Sequence, residues 1–316
     1  MKSLHQSFFQ SPCRRRSLDH TCIVNKLIHD EGSYDGKHLQ SRRSILISAA
    51  PLLCCTTTTT TPVTVTNRNP TLDKLFAQCM NEYMEEYEQN IASVKQKLFS
   101  QLYASSTAKD NNTTDDGAQP LVIAEIGIGT GPNLKYYNPQ KIKKIIAIDP
   151  NEYMRPYLEA NLKKNGFHAA TQMEWCRAQG EALPLPDDSV DVVVYTLVLC
   201  SVSDVKKTVE EAKRILKKKT SGSGSRGGQL LFIEHTIAPP TRPVLLVAQQ
   251  VLNPLQRALA DGCNLNRDPL PIIEDVFVGG GGGSGNTGMA SKVDVIRFDV
   301  EGASLISPHV AGVVTM

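Results

Sequence analysis

Residues 121–132 read Leu-Val-Ile-Ala-Glu-Ile-Gly-Ile-Gly-Thr-Gly-Pro, an apolar β-prone run that ends in glycines at 127, 129 and 131. A strand breaking into a glycine turn brings backbone N–H groups close to a ligand with no Cβ in the way. An acid, Glu125, stands two residues before the first glycine. The stretch reads as a nucleotide-type cofactor loop.

Downstream, apolar runs alternate with helical patterns. Strands are expected at 121–126, 144–149, 173–177, 191–197 and 229–234, and helices at 152–164, 204–218 and 243–260. Continuous apolar strands separated by amphipathic helices imply a parallel sheet covered on both faces. The segment 293–300 alternates polar and apolar residues, and 309–315 is a last strand, so an antiparallel C-terminal hairpin is expected. The fold class is therefore α/β: a Rossmann-like, seven-stranded, mostly parallel sheet ending in that hairpin. Ligands of such sheets bind at the carboxyl ends of the strands. Glu125, Asp149, Thr196 and Glu234 all fall at such ends.

Upstream, three regions differ in kind. Residues 1–70 form a targeting segment and linker. They hold nine Lys and Arg against four acids, leaving 25 against 28 for the rest, a net −3. The start is basic and Ser-containing, as in a transit peptide, and Arg42-Arg43 before a short apolar run resembles a twin-arginine signal. That order points to the chloroplast and its thylakoids, with peripheral membrane association. The run is shorter than the roughly 20 residues of a membrane span. Six threonines at 56–61 read as linker. Residues 71–105 form an N-terminal cap helix, with Thr71 as its N-cap and Leu72, Leu75, Phe76, Met80, Met84, Tyr87, Ile91, Val94, Leu98 and Leu102 on one face. Tyr83 or Tyr87 is a candidate lid. A polar linker, 105–119, leads into the main domain, 120–316.

The body of the chain lacks the basic surface that nucleic acid demands. Eight scattered cysteines show neither C-x-x-C nor zinc-ligand spacing, and the body's three histidines, His168, His235 and His309, are dispersed. Free thiols and no metal site are expected.

The details around the glycines discriminate between ligands. A dinucleotide fingerprint needs its third glycine at 132, where this chain has Pro132. Glu125 better suits an adenosine ligand whose other end carries an amino group. Asp149, 22 residues after Gly127, can accept both ribose hydroxyl hydrogens. Further on come Gly180-Glu181-Ala182-Leu183-Pro184 and Asp191-Val192-Val193-Val194. Together these resemble a class I S-adenosylmethionine-dependent methyltransferase. The segments 195–202, Glu234-His235 and Asp261-Gly262-Cys263-Asn264-Leu265-Asn266-Arg267 are similar to the methyltransferase-like (type 11) proteins that include thiol methyltransferases; Leu183-Pro184-Leu185-Pro186 is similar to quinone C-methyltransferases. The resemblance spans roughly 72–278 and 293–315.

The resemblance implies S-adenosylmethionine as cofactor. Glu125, Gly127, Gly129 and Gly131 would hold its methionine part and Asp149 its ribose. Pro150 and Asn151, with Tyr153 nearby, would border the ribose and adenine. Gly180, Glu181 and Ala182 would border the adenine, and Thr196 the sulfonium. His235 is the candidate base for a small, apolar acceptor: a thiol, phenol or quinol. Asp261, Asn264 and Arg267 are candidate acceptor-pocket residues, and Cys200 is expected to pack. Other readings are a non-catalytic S-adenosylmethionine-binding protein and an NAD-type oxidoreductase, the latter opposed by Pro132 and Glu125. The sequence does not identify the oligomeric state. Residues 218–228 and 279–285 read as surface insertions.

Overall fold

The structure is a computed structural model that describes residues 68–103, 119–219, 227–279 and 292–316. The targeting segment, the threonine run, the polar linker and most of both insertions lie outside the described residues.

Three helices come first: α1 (Pro70–Tyr83), α2 (Glu85–Asn90) and α3 (Ala92–Gln101). The single helix expected here is interrupted at Met84 and Ile91, which serve as caps between successive helices. Its N-cap is Asn69, not Thr71: the Asn69 side chain accepts from the N–H groups of Thr71 and Leu72. The apolar stripe does its expected work lower down, where Tyr87, Ile91, Leu98 and Leu102 are buried, whereas Leu72 is exposed.

The sheet follows. Its strands are β1 (Leu121–Ile126), β2 (Ile142–Ile148), β3 (Met173–Cys176), β4 (Val192–Thr196), β5 (Gln229–His235), β6 (Lys292–Asp299) and β7 (Pro308–Thr315). They run in the order β3-β2-β1-β4-β5-β7-β6. The first five pair in parallel, and β7 inserts antiparallel between β5 and β6. Between them run α4 (Arg155–Lys164), the short α5 (Ala169–Gln172), α6 (Val205–Ile215), α7 (Pro243–Leu259) and α8 (Leu270–Phe277). α8 is absent from the sequence reading because its eight residues are too few to display a period. A 3₁₀ turn at Glu152–Met154 precedes α4 and takes the first part of the helix expected at 152–164.

The parallel strands read as unbroken apolar runs because both their faces are covered. Ile123, Ile145, Val193, Leu231 and Ile233 are each fully buried. α6 faces this core with Val205, Val209, Ala212 and Ile215. α7 differs: Val244, Val247, Val251 and Leu255 are exposed. It is held instead by buried Gln249, whose Oε1 accepts from Ala238 N at 2.7 Å and whose Nε2 donates to the carbonyls of Thr236 and Leu305.

The chain winds outward from β1 through β2 to β3, then returns to β4 on the other side of β1. The carboxyl ends of β1 and β4 therefore flank a crevice at the reversal point. The N-terminal helices are tied beside it. Tyr87 Oη and His309 Nε2 of β7 are 2.9 Å apart, and Asn151 Nδ2 donates to the Asp73 carbonyl at 2.9 Å.

The C-terminal hairpin depends on Gly312, where a Cβ would lie 2.5 Å from the Asp294 carbonyl oxygen and 2.9 Å from the Phe232 ring. Gly312→Val should lower stability by about 1–3 kcal/mol through overpacking. An unchanged thermal midpoint would show that β7 can shift without loss.

Candidate functional site

The crevice holds a cavity of about 190 Å³. Its floor comes from the loops after β1, β2 and β4; its cover comes from α1 and α2. Phe76, Met80, Met84 and Glu88, spaced by four, line the cover. The N-terminal helices thus contribute to the cavity, but not through the expected tyrosines. Tyr83 is largely exposed, Tyr87 is buried against His309, and neither lines the cavity.

Gly127, Gly129 and Gly131 all have positive φ, at 66°, 56° and 79°. Only the first two line the cavity. A Cβ on Gly127 would lie 2.3 Å from Val198, and one on Gly131 would lie 2.7 Å from Leu158. Gly129 differs, since a Cβ there would have no neighbour nearer than 4.0 Å. The loop's N–H groups are largely engaged within the protein. Gly127 and Ile128 donate their N–H groups to the Ile148 carbonyl, and Gly131 donates to the Ile128 carbonyl. Gly129 donates to Asp149 at 3.0 Å.

Asp149 lines the cavity at the end of β2 and is 6% exposed. One carboxylate oxygen accepts from Gly129 N and the other from Asn151 N. Burial raises its pKa to about 6, against the lowering effect of those two bonds. Pro150 also lines the cavity, with Met154 in the place expected for Tyr153. Asn151 does not: its side chain bonds the Asp73 carbonyl and the Tyr153 N–H.

Glu125 is likewise turned inward. Its oxygens accept from Asn133 Nδ2 at 2.8 Å and Tyr137 Oη at 2.7 Å, and it does not line the cavity. Burial raises its pKa to about 7. Its influence passes through Asn133, which also donates to Thr196 Oγ1 at 3.0 Å. Thr196 lines the cavity with its own O–H left for another acceptor. Asn133 is a residue that sequence reading misses, because nothing local marks its reach back to β1 and across to β4.

Gly180 and Glu181 line the cavity together with Ala178 and Gln179, whereas Ala182 does not. Glu181 accepts from the N–H groups of Ser203 and Asp204, fixing the entry to α6. Glu234 accepts from Val198 N and Leu199 N and so shapes the turn after β4. Burial pushes its pKa up to about 7.

The candidates beyond β5 divide. Asp261 lines the cavity and bonds Arg68, another lining residue, at 2.7 Å. Asn264 instead bonds the Cys200 and Gly262 carbonyls. Arg267 donates to the carbonyls of Leu199, Cys200 and Val202, clamping the turn after β4. His235 does not line the cavity either: it is 2% exposed, with Nε2 at 3.2 Å from Cys263 Sγ. Its ring meets Cys263 rather than the cavity. Cys79, Cys176, Cys200 and Cys263 are all buried, so Cys200 packs in the interior as expected. Against the expectation of dispersed metal-ligand types, folding gathers Cys200, His235 and Cys263.

The lining carries four acids, Glu88, Asp149, Glu181 and Asp261, against one cation, Arg68, and Arg68 is already paired with Asp73 and Asp261. Glu88 is buried, with Oε1 2.6 Å from Lys95 Nζ and Oε2 3.6 Å from Lys135 Nζ, so it is already paired from outside the lining. An acid-rich cavity whose glycine N–H groups are engaged favours a cation-bearing ligand over a polyphosphate.

A family profile described as "Methyltransferase domain" matches residues 124–221. Thiol S-methyltransferase TMT1B of Rattus norvegicus is 36% identical over 184 residues, covering 58% of this chain and 66% of that protein. Thiol S-methyltransferase TMT1A of Homo sapiens is 34% identical over 205 residues, covering 64% of this chain and 74% of that protein. A solved methyltransferase from a complex with the Haloferax volcanii Trm112 activator superposes with a TM-score of 0.51 at 13% identity, over 79% of this chain and 99% of its own. That likeness concerns the fold alone.

The buried acids make a pH prediction. The folded pKa values of Glu125, Glu234 and Asp149 exceed ordinary values, so the folded chain holds protons that the unfolded chain would release. Their contribution to stability is full below the ordinary carboxylate range and is lost as pH rises through about 6 and 7. The thermal midpoint of the ligand-free protein should fall between pH 5 and pH 8, less steeply in Glu234→Gln. A midpoint that is flat or rising over that range would contradict the assignment.

Proposed function

The chain belongs to the class I S-adenosylmethionine-dependent methyltransferase family, and on that premise we propose that it methylates a small, apolar thiol. The cavity beside Asp149 carries the cofactor reading. An acid that already accepts two backbone N–H groups is rigidly placed, and each oxygen keeps a lone pair for a ribose hydroxyl. The fit extends to charge: S-adenosylmethionine brings a sulfonium and an ammonium, and the cavity brings an excess of carboxylates and no unpaired cation among the described residues. When bound, the cofactor supplies an electrophilic methyl group and a neutral thioether leaving group.

The chain's own residues then have three tasks. Asp149, Pro150, Met154, Ala178, Gln179 and Gly180 hold the nucleoside end. Gly127, Gly129 and Thr196 border the methionine and sulfonium end, with Glu125 acting through Asn133 to fix Thr196. Phe76, Met80 and Met84 cover the cavity, exclude water and offer an apolar surface to the acceptor. Placement and desolvation of this kind are the main contribution a protein makes to an in-line displacement.

The relatives' printed names support a thiol as the acceptor. The described lining residues supply Thr196 and carboxylates rather than a histidine, and a thiol, with a pKa of about 8.5, has the least need of a base. Purified full-length chain should methylate alkyl and aryl thiols faster than phenols and quinols of equal size. The pH midpoint should follow the acceptor's own pKa when the thiol is changed. Methylation of quinols alone, or of none of the three, would reject the thiol assignment.

Asp149→Ala should weaken S-adenosylmethionine binding at least about tenfold in calorimetry, in line with a charge-assisted hydrogen bond of about 1.5–3 kcal/mol. Unchanged affinity in a folded variant would remove Asp149 from the ribose.

A further inference from the structure

Behind the cavity, three side chains from three separate segments converge. Cys200 stands in the turn after β4, His235 closes β5, and Cys263 lies in the loop between α7 and α8. Their ligand-type atoms all lie within 4.8 Å of one another. His235 Nε2 is 3.2 Å from Cys263 Sγ, and the three residues are 4%, 2% and 8% exposed.

We propose that Cys200 Sγ, His235 Nε2 and Cys263 Sγ form a zinc site of the Cys₂His type. Tetrahedral zinc with Zn–S of about 2.3 Å and Zn–N of about 2.0–2.1 Å places N and S roughly 3.6 Å apart, and two sulfurs roughly 3.8 Å apart. The observed cluster reaches those separations by side-chain movements of a fraction of an ångström to about one ångström. Two soft sulfurs and an imidazole suit zinc rather than magnesium or calcium, which take oxygen ligands. In the nearby carboxylate, Glu234 Oε1 accepts from the Val198 and Leu199 N–H groups while Oε2 is buried without a hydrogen-bond partner, and Glu234 is not part of the set.

The surroundings are built to hold the two cysteines in register. Asn264 donates both its backbone N–H and its Nδ2 to the Cys200 carbonyl, at 2.9 Å each. Arg267 Nη1 donates to the same carbonyl and to its neighbours Leu199 and Val202. Gly262, with φ at 80°, brings the segment within reach of the Ser201 carbonyl, which a Cβ would approach to 3.3 Å. The Asp261–Arg267 segment thus anchors Cys263 opposite Cys200. The fourth zinc position falls to a small ligand, such as water. Ser201, whose Oγ is 3.6 Å from Cys200 Sγ, also lines the cavity, so the site abuts the cavity wall.

The test reads metal, not methyl transfer. Full-length chain expressed in zinc-replete medium should retain one equivalent of zinc after gel filtration. Anaerobic titration of zinc-stripped chain with Co²⁺ should give a thiolate-to-cobalt charge-transfer band in the near ultraviolet that saturates at one equivalent. Cys200→Ser with Cys263→Ser should reduce the band at least tenfold, and His235→Ala should weaken Co²⁺ binding. No charge-transfer band in the unaltered chain would overturn the proposal whatever the variants do. So would a band that survives the double substitution, which would assign the metal to other cysteines. Recovery of a Cys200–Cys263 disulfide from chain prepared without oxidant would overturn it as well.

Discussion

The site rests on the buried carboxylate of Asp149. One oxygen takes the N–H of Gly129 and the other the N–H of Asn151, so a single side chain ties the loop after β1 to the turn after β2. A carboxylate this deeply placed would be costly without partners. With them it can stay ionised at neutral pH, its pKa raised only to about 6. The geometry of the glycine loop follows. Gly129 can face the cavity because its N–H is held from below. Gly127 and Ile128 are held by the Ile148 carbonyl at the end of the same strand. The loop's donors point into the protein, and what remains towards the cavity suits positive charge.

The same device recurs along the sheet's carboxyl edge. Glu125, next to last in β1, organises Asn133, Tyr137 and, through Asn133, Thr196. Glu234 near the end of β5 collects the N–H groups of Val198 and Leu199. That bond follows Leu197, whose φ of 57° a bulky side chain rarely adopts. Three acids therefore act chiefly on backbone and neutral side chains, and each turns one loop towards the crevice. Of the three, only Asp149 also reaches the cavity. Strand-end acids in such sheets need not all be ligand contacts. Their burial, and the bonds needed to offset it, makes them the braces of the loops that are.

How much was legible in the sequence follows from what each pattern reports. Apolar runs report burial on both faces, so the seven strands and the hairpin could be read from residues such as 144–148 and 191–195. Glycines report space and φ, so the loop was found, and Gly127 and Gly129 were placed at the cavity. Neither pattern reports hydrogen-bond partners. Glu125, Asn151, Asn264 and Arg267 were therefore read as ligand contacts, whereas each side chain bonds within the protein. Asn133, Glu88 and Arg68 were missed for the same reason: their partners lie on other segments. A helical stripe also cannot say where a helix is interrupted. The face carrying Phe76, Met80, Met84 and Glu88 continues across the break at Met84 and reads as one helix.

The segment 261–267 shows why residue type alone misleads. Asp, Asn and Arg are all plausible ligand contacts, and a cavity wall would explain all three. The structure separates them by what their partners need. Asp261 meets Arg68, a cation brought to the cavity from before α1, and so belongs to the lining. Asn264 and Arg267 meet carbonyls of the turn after β4, which lacks strand partners there and requires donors from elsewhere. Between them stands Cys263, held opposite Cys200 and His235 by the same bonds. A segment that stabilised only the turn could place any small residue at 263. The clamp instead brings a sulfur to a second sulfur and an imidazole nitrogen, and on that convergence the proposed metal site rests.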